Sequence, residues 1–214
     1  MKKILIFLSI LLVIGLGACG VKYFMKNKDT TNNDIKEEKK LKIIDETSKS
    51  RPIAVMINNN HQAWPHAGLD KSYINYEIIA EGGITRIMAL FKDQKDVEKI
   101  GSVRSSRPYF LDYVLENDAI YIHWGGSNDA YNDINSLGID HIDGMDYEGK
   151  YFFRDISLDK AYEHTGFTKM SMINEGINNL NIKTTTNKRN LLCYSIDDIN
   201  FNVKDNAIKA DEVI

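Results

Sequence analysis

Five consecutive residues, Arg104-Ser105-Ser106-Arg107-Pro108, concentrate side chains that bind anions: two guanidinium groups and two hydroxyls. A strand is predicted over residues 97–103. A helix is predicted to begin after Ser106, since serine is a good N-cap and Pro108 suits a first helical turn. Backbone amides at a helix start are free, and the helix dipole is positive there. The segment therefore predicts an anion site in which side-chain donors add to the backbone.

The same segment also permits a purely structural interpretation. Ser106 would then only cap the helix, and the arginines would pair with carboxylates such as Glu77 or Glu81. Arg86, on another predicted strand, completes the set of cations that phosphate chemistry would need. The candidate anion-binding residues are Arg86, Arg104, Ser105, Ser106 and Arg107.

A second polar group, His123-Trp124-Gly125-Gly126-Ser127-Asn128-Asp129, joins a predicted strand end to a predicted helix start capped by Ser127. In an open α/β sheet, ligands bind outside the carboxyl ends of the strands, so two such turns would face one cleft. His123 would then act as an acid or base, with Asp129 near it. Alternatively, His123 is a packed, hydrogen-bonded residue and the two glycines only form a turn.

Two shorter pairs have the same ambiguity. Glu81 and Arg86 flank Gly82-Gly83, and Arg154 and Asp155 follow an aromatic strand. Each pair either reaches the cleft or forms a salt bridge that fixes a turn, and for Glu81 the salt bridge is the favoured interpretation. The candidate cleft residues are Glu81, His123, Ser127, Asp129, Arg154 and Asp155.

Established motifs are missing from the sequence. There is no His-Glu-x-x-His, no Gly-x-Ser-x-Gly, no Cys-x-x-Cys and no dinucleotide glycine fingerprint, so neither a metal nor a cofactor is predicted. The stretch 140–143 (DHID) contains metal-ligand types but is interpreted as a solvated surface turn. Cys193 follows two leucines and is interpreted as a buried structural thiol.

Alternating strands and helices must position these groups. Strands are predicted over residues 52–58, 73–80, 84–91, 97–103, 119–123 and 151–153, with a hairpin at Gly82-Gly83. Helices are predicted to begin after Ser106, Ser127, Ser157 and Thr168, and Gly138 ends the second one. The fold class is therefore α/β (or α+β), a layered mixed sheet with flanking helices.

The first 18 residues are two lysines, an apolar run and small residues, the layout of an export signal. Residues 16–19 (LGAC) resemble the lipobox of bacterial lipoproteins, which implies a lipidated Cys19 as the mature N-terminus and a location on the outer face of the cytoplasmic membrane. The alternative is an uncleaved helix over residues 4–21, about the minimum that spans a bilayer. In both cases the domain faces outward.

Residues 19–50 are polar and are predicted to be a flexible tether, and residues 51–214 are predicted to be one domain. The domain holds 17 basic and 24 acidic residues. So acidic a surface does not suit phosphate-backbone binding, and no nucleic acid is expected as a partner. Once Cys19 carries a lipid, Cys193 is the only thiol left, so no intrachain disulfide can form.

A family resemblance covers residues 51 to about 172. It is carried by short matches in order, at 52–59 (PIAVMINN), 81–86 (EGGITR), 100–110 (IGSVRSSRPYF), 118–121 (DAIY), 125–127 (GGS) and 153–155 (FRD). The chain resembles the YerB-like family of lipoproteins, a domain family of unknown function. Members of that family carry a second, mostly β domain, so the chain looks like a short or truncated member.

These patterns favour a membrane-anchored binding module of the cell envelope that recognises an anionic ligand or an envelope protein. The competing function is an envelope enzyme that acts on phosphate or pyrophosphate esters of lipid-linked or cell-wall substrates. Such an enzyme would stabilise negative charge with Arg86, Arg104 and Arg107 and would need an acid beside them.

Overall fold

A computed structural model describes residues 43–192. The predictions on the signal peptide, on Cys19 and on Cys193 fall outside these residues. Within residues 43–192, no helix is long and apolar enough to cross a membrane.

The main sheet has five strands, in the order β2-β3-β1-β5-β6. Strands β1, β5 and β6 are parallel to one another, whereas β3 runs antiparallel to both β1 and β2. The strands are β1 (Ile53–Asn58), β2 (Ile74–Ile79), β3 (Thr85–Phe91), β5 (Ile120–His123) and β6 (His141–Asp143). The predicted mixed sheet and the hairpin at Gly82-Gly83, which joins β2 to β3, are confirmed.

A second sheet of three short strands has the order β4-β8-β7. Its strands are β4 (Ile100–Gly101), β7 (Phe153–Arg154) and β8 (Gly166–Thr168). Within residues 43–192, four α-helices accompany the two sheets: α1 (Pro108–Glu116), α2 (Asn128–Ser136), α3 (Gly144–Tyr147) and α4 (Met170–Asn179).

Both faces of the main sheet are buried at β1, β3 and β5, because strand side chains alternate and both sets are mostly apolar there, whereas one face of the edge strand β2 is exposed. On one face, Ala54 and Met56 of β1 belong to a core cluster that includes residues of α1 and α2. On the other face, Val55 and Ile57 belong to a cluster that includes α4 and Phe152 beside the small sheet. The domain is therefore layered, with helices on both sides of the sheet.

Residues 102–106 lie between β1 and β5 at their carboxyl ends. The two strands pair directly only over residues 53–55 and 120–122. Beyond that point the Arg104 amide donates to Met56 O (2.9 Å), and Arg104 O accepts from the Trp124 amide (3.0 Å). The Ser106 amide then donates to Gly125 O (2.8 Å). The protein's own backbone thus fills the gap where an open sheet of this kind would hold a ligand.

Two helix starts differ from prediction because the predicted caps are engaged elsewhere. Helix α1 begins at Pro108 and its N-cap is Arg107, not Ser106. Helix α4 begins at Met170 after Lys169. The Thr168 hydroxyl, which was predicted to cap it, donates to Tyr151 O (2.8 Å).

Other boundaries are also corrected. No α-helix begins directly after Ser157, whose amide and hydroxyl both donate to Asp155 Oδ1 in a local turn, and only a short 3-10 helix follows at Tyr162–His164. The strand predicted over residues 97–103 is only Ile100–Gly101 and belongs to the small sheet. The aromatic strand predicted over residues 151–153 is Phe153–Arg154.

The packed region begins before residue 51, where the tether was predicted to end. Ile44 is 9% exposed and belongs to the buried apolar residues. Ser50 pairs with Thr185, and its hydroxyl donates to Asp93 Oδ1 (2.5 Å). Residues 44–50 therefore contact the domain, although their composition is as polar as that of the preceding chain.

Candidate functional site

Glu81, Arg86 and Arg107 meet at the carboxyl end of β1, and we call this group the arginine edge. Arg86 on β3 is in register with Asn58, the last residue of β1. Its Nη2 lies 3.4 Å from Glu81 Oε2, and Arg107 Nε donates to Glu81 Oε1. Two guanidinium groups thus share one carboxylate, so the arginine edge carries a net positive charge.

Backbone carbonyls fix both arginines of this edge. Arg86 Nη1 donates to Ser105 O (2.7 Å), and Arg107 Nη1 donates to Ser106 O (2.8 Å). The hydrogen bond from Arg107 lowers the pKa of Glu81, and burial together with the neighbouring Arg107 lowers the pKa of Arg86. Glu81 keeps 57% of its side chain exposed, so solvent screens its attraction to the arginines.

The two serines of the predicted anion site are occupied within the protein. Ser105 Oγ donates to Trp124 O (3.0 Å), and Ser106 Oγ, fully buried, accepts from the Tyr121 hydroxyl (3.0 Å). The Ser106 amide is also bonded, and Pro108 has no amide hydrogen. Of the predicted site, the arginine side chains therefore remain as the candidate donors, Arg107 partly exposed and Arg86 nearly buried, and the carbonyls of the two serines hold them in place.

Arg104 lies apart from the arginine edge. Its Nη1 is 3.4 Å from Glu163 O and 3.8 Å from Glu163 Oε2. The structure therefore divides the three predicted arginines into a pair on Glu81 and a single one beside Glu163.

His164, next to Glu163, was not singled out from the sequence. Asn58 Oδ1 accepts from the Asn60 amide (3.0 Å), so Asn58 Nδ2 is the atom that donates to His164 Nδ1 (2.8 Å). His164 Nε2 is buried and has no hydrogen-bond partner, a state shared among the described residues only by Ser102 Oγ. A buried N–H without an acceptor costs about 1–3 kcal/mol. His164 ends a short 3-10 helix (Tyr162–His164), and a single histidine there has no spacing pattern by which the sequence could mark it.

A second polar group at the carboxyl ends of the strands, the histidine cluster, consists of His123, Tyr131, His141 and Asp143. His123 Nδ1 donates to Gly125 O (2.8 Å), so its Nε2 accepts from His141 Nδ1 (2.9 Å) when both rings are neutral. Burial lowers the pKa of both histidines. Both nitrogens of the fully buried His123 are therefore engaged within the protein.

Asp143, not Asp129, is the carboxylate of the histidine cluster. It is 2% exposed, and its Oδ1 accepts from the amides of Gly125 (2.7 Å) and Met145 (2.9 Å). Tyr131 donates to its Oδ2 (2.5 Å). The prediction of a solvated turn over residues 140–143 is wrong for Ile142 and Asp143, which are buried in strand β6, whereas Asp140 and His141 are partly exposed. His141 of β6 and Asp146 of α3 border an open cleft of about 300 Å³.

The remaining candidate cleft residues have local roles. Ser127 caps α2, as predicted, by accepting from the Ala130 amide (3.2 Å), and Asp129 is exposed in the first turn of that helix. Arg154 bonds Glu148 (2.9 Å) and lies over the rings of Trp124 and Tyr162.

Asp155 points to other partners than Arg154. It accepts from Lys99 (2.5 Å), and the hydrogen bonds from Lys99 and Ser157 lower its pKa to about 2. Arg154 and Asp155 therefore do not act as a pair. Within residues 43–192, no group of three His, Cys, Asp or Glu side chains is placed to hold a metal ion.

Comparison with known proteins adds a family to this geometry. Residues 40–183, more than half of the chain, match the family model described as "Protein of unknown function (DUF3048) N-terminal domain". A Bacillus subtilis (strain 168) protein named "Putative lipoprotein YerB" is 40% identical over 114 residues, which are 53% of this chain and 34% of that protein.

A crystal structure of the YerB protein from Bacillus subtilis is also similar. It aligns with a TM-score of 0.63 at 33% identity, over 69% of this chain and 50% of that one. The chain thus spans half or less of the relatives it matches. The resemblance predicted from the sequence is confirmed, and the chain belongs to the YerB-like family whose N-terminal domain is DUF3048, a domain of unknown function.

Proposed function

We propose that this protein is a lipoprotein of the cell envelope, held on the outer face of the cytoplasmic membrane through Cys19, and that its domain binds an anionic ligand at the arginine edge. One observation carries the binding proposal. Two guanidinium groups are fixed by backbone carbonyls, and both point at a single, largely exposed carboxylate.

Glu81 is suited to give way to a ligand. It begins a short turn that continues with Gly82 and Gly83, both of which have positive φ (73° and 72°). We expect a change in that turn to move Glu81 while both arginines keep their hydrogen bonds to the carbonyls of Ser105 and Ser106. A phosphate group offers more acceptor oxygens than a carboxylate and suits two arginines. The ligand class is therefore a phosphate-like oxyanion.

The membrane anchor is supported by the lipobox-like residues 16–19 and by the relative whose name includes the word lipoprotein. Changing Cys19 to Ala is expected to leave the precursor unprocessed, and globomycin is expected to make the wild-type precursor accumulate. A wild-type protein that is unaffected by globomycin and keeps its N-terminal residues would contradict the anchor.

Binding without turnover is favoured over the enzyme alternative because the acid–base groups are committed. The pKa of Glu81 is lowered by its hydrogen bond to Arg107, which makes it a poor proton donor. His123 is buried, and the protein bonds both of its nitrogens. Release of product from a phosphate ester, at a rate that Arg107→Ala abolishes, would restore the enzyme alternative.

Calorimetric titration of the full chain in a neutral detergent tests the binding proposal. Phosphate, pyrophosphate and a prenyl pyrophosphate are titrated at low and moderate salt into wild type, Arg107→Ala and Lys71→Ala. Loss of an arginine hydrogen bond to an anion costs about 1.5–3 kcal/mol, so Arg107→Ala is expected to bind about 10- to 150-fold more weakly.

Lys71→Ala is the matched control, because it also removes one positive charge but from an exposed residue paired with Asp70. It is expected to bind like wild type, and higher salt is expected to weaken binding in both. No saturable heat at millimolar ligand, or equal losses in the two variants, would overturn the proposal.

A further inference from the structure

Glu163 lies against two groups that it does not satisfy. Its side chain is 59% exposed, and its carboxylate oxygens are 3.8 Å from Arg104 Nη1 and 3.5 Å from His164 Nε2. Neither carboxylate contact is a hydrogen bond, and His164 Nε2 has no other partner. A cation and a buried donor therefore converge on one position occupied by a surface side chain.

We infer that Arg104 and His164 form a second oxyanion subsite, in which a phosphate or carboxylate group replaces Glu163 and accepts hydrogen bonds from Arg104 and from His164 Nε2–H. The inference rests on the proposed function for its class of ligand. The second subsite goes beyond the proposed function because it adds a second binding position and a donor, His164, from the segment Tyr162–His164.

The role of His164 as a donor follows from the hydrogen bonds of Asn58. The Asn60 amide donates to Asn58 Oδ1, so the Asn58 amide nitrogen must face His164. His164 Nδ1 is therefore an acceptor, and the proton of the neutral ring is on Nε2. A ring in this tautomer cannot act as a base through Nε2, but it can bind an oxygen that carries a lone pair.

Groups around the ring favour this neutral form. Burial lowers the pKa of His164, Arg104 and Lys160 lower it further, and Glu163 raises it. The ring also accepts a hydrogen bond from the side chain of Asn58, the last residue of β1. The backbone amide of Asn58 donates to Ser102 O (2.9 Å), which fixes the position of this residue. The Nε2–H is thus held in one direction before any ligand arrives, which reduces the entropy lost on binding.

The test follows the His164 side chain by proton–nitrogen NMR of the full chain in neutral detergent during titration with inorganic phosphate. We expect a saturable shift of the His164 Nε2–H signal. Glu163→Gln removes the competing carboxylate and is expected to tighten phosphate binding about 1.5- to 5-fold, the size of an exposed ion pair. Glu116→Gln, which removes one exposed carboxylate from helix α1, is the matched control and should leave the affinity unchanged.

Two further samples separate this inference from the proposed function. In Arg107→Ala, the arginine edge is weakened, and the His164 signal should still shift with phosphate. In His164→Gln, an N–H donor remains, whereas in His164→Phe it is lost, so only the second should abolish the effect of Glu163→Gln. Detergent micelles with and without phosphatidylglycerol, titrated without phosphate, distinguish a lipid head group from a free anion as the source.

An unchanged His164 signal at saturating phosphate, while the arginines of the edge respond, overturns the inference and leaves the proposed function intact. A His164 signal that shifts while the arginines of the edge do not respond supports the second subsite and overturns binding at the arginine edge. Equal affinities of Glu163→Gln and Glu116→Gln would also overturn it.

Discussion

The arginine edge and the histidine cluster both lie at the carboxyl ends of the central strands, and both contain charged or titratable residues that could do chemistry. They differ in how their polar atoms are satisfied. Asp143 of the histidine cluster is 2% exposed and accepts three hydrogen bonds from the protein. Glu81 of the arginine edge is 57% exposed and is shared by two arginines. The hydrogen bonding, not the residue types, separates a structural network from a candidate binding site.

Energetics explain why this difference matters. A buried carboxylate that accepts three hydrogen bonds stabilises the fold, and removing it leaves its donors without an acceptor in the interior. Solvent screens a carboxylate that is as exposed as Glu81, so exchanging it for a ligand costs little. We therefore expect the histidine cluster to stabilise the fold and propose the arginine edge as the binding site.

The largest expected effect is on stability at the histidine cluster. Asp143→Ala leaves the Gly125 and Met145 amides and the Tyr131 hydroxyl without their acceptor. We expect the free energy of unfolding, measured by urea denaturation, to fall by about 3 kcal/mol or more. Asp146→Ala is the exposed control and should change it by about 0.5 kcal/mol at most. Similar losses in both variants would contradict a special contribution of the buried Asp143 hydrogen bonds to stability.

The pH dependence of the free energy of unfolding is the effect of intermediate size, and it tests whether His123 is neutral in the folded protein. Burial lowers the pKa of His123 in the folded state, so the unfolded chain takes up this proton at a higher pH, near 6.5. The contribution of neutral His123 to stability is therefore fully present above about pH 6.5 and is lost as the pH falls below that value. His123→Gln should reduce the slope between pH 6 and 5 by up to about 1.4 kcal/mol per pH unit. Parallel slopes in wild type and variant would show that His123 is not held neutral.

The smallest expected change in stability is at Asp129, which the sequence predicts to lie near His123. It is exposed in the first turn of α2, where a negative charge favours the helix dipole. Asp129→Asn should lower the free energy of unfolding by about 0.5 kcal/mol and leave the pH slope unchanged. A changed slope would mean that Asp129 senses the charge of His123 after all.

The sequence predicts the elements whose signals are local. The apolar runs of β1, β3 and β5, the glycine-marked hairpin and the Ser127-capped helix are confirmed. The predicted caps Ser106, Ser157 and Thr168 are wrong for one reason, since each hydroxyl bonds to a partner other than a helix start. A single sequence does not reveal which serine or threonine is engaged in this way.

The same limit applies to the candidate sites. Glu81 and Arg86 are five positions apart, and their ion pair was the favoured prediction. Arg104 meets Glu163 across 59 positions, and Asn58 meets His164 across 106, so no spacing pattern could indicate these contacts. Long-range strand order, and the placement of residues 102–106 between β1 and β5, bring them together.

Binding at the arginine edge is tested most directly by a phosphate titration of the full chain in neutral detergent, in which NMR follows the arginine edge and the histidine cluster together. We predict saturable shifts of the Arg86 and Arg107 guanidinium signals, tighter binding in Glu81→Gln than in wild type, and no shift of the Tyr131 or Asp143 signals. Arginine signals that remain unchanged at millimolar phosphate, or shifts that centre on His123 and His141, would contradict the assignment of binding to the arginine edge.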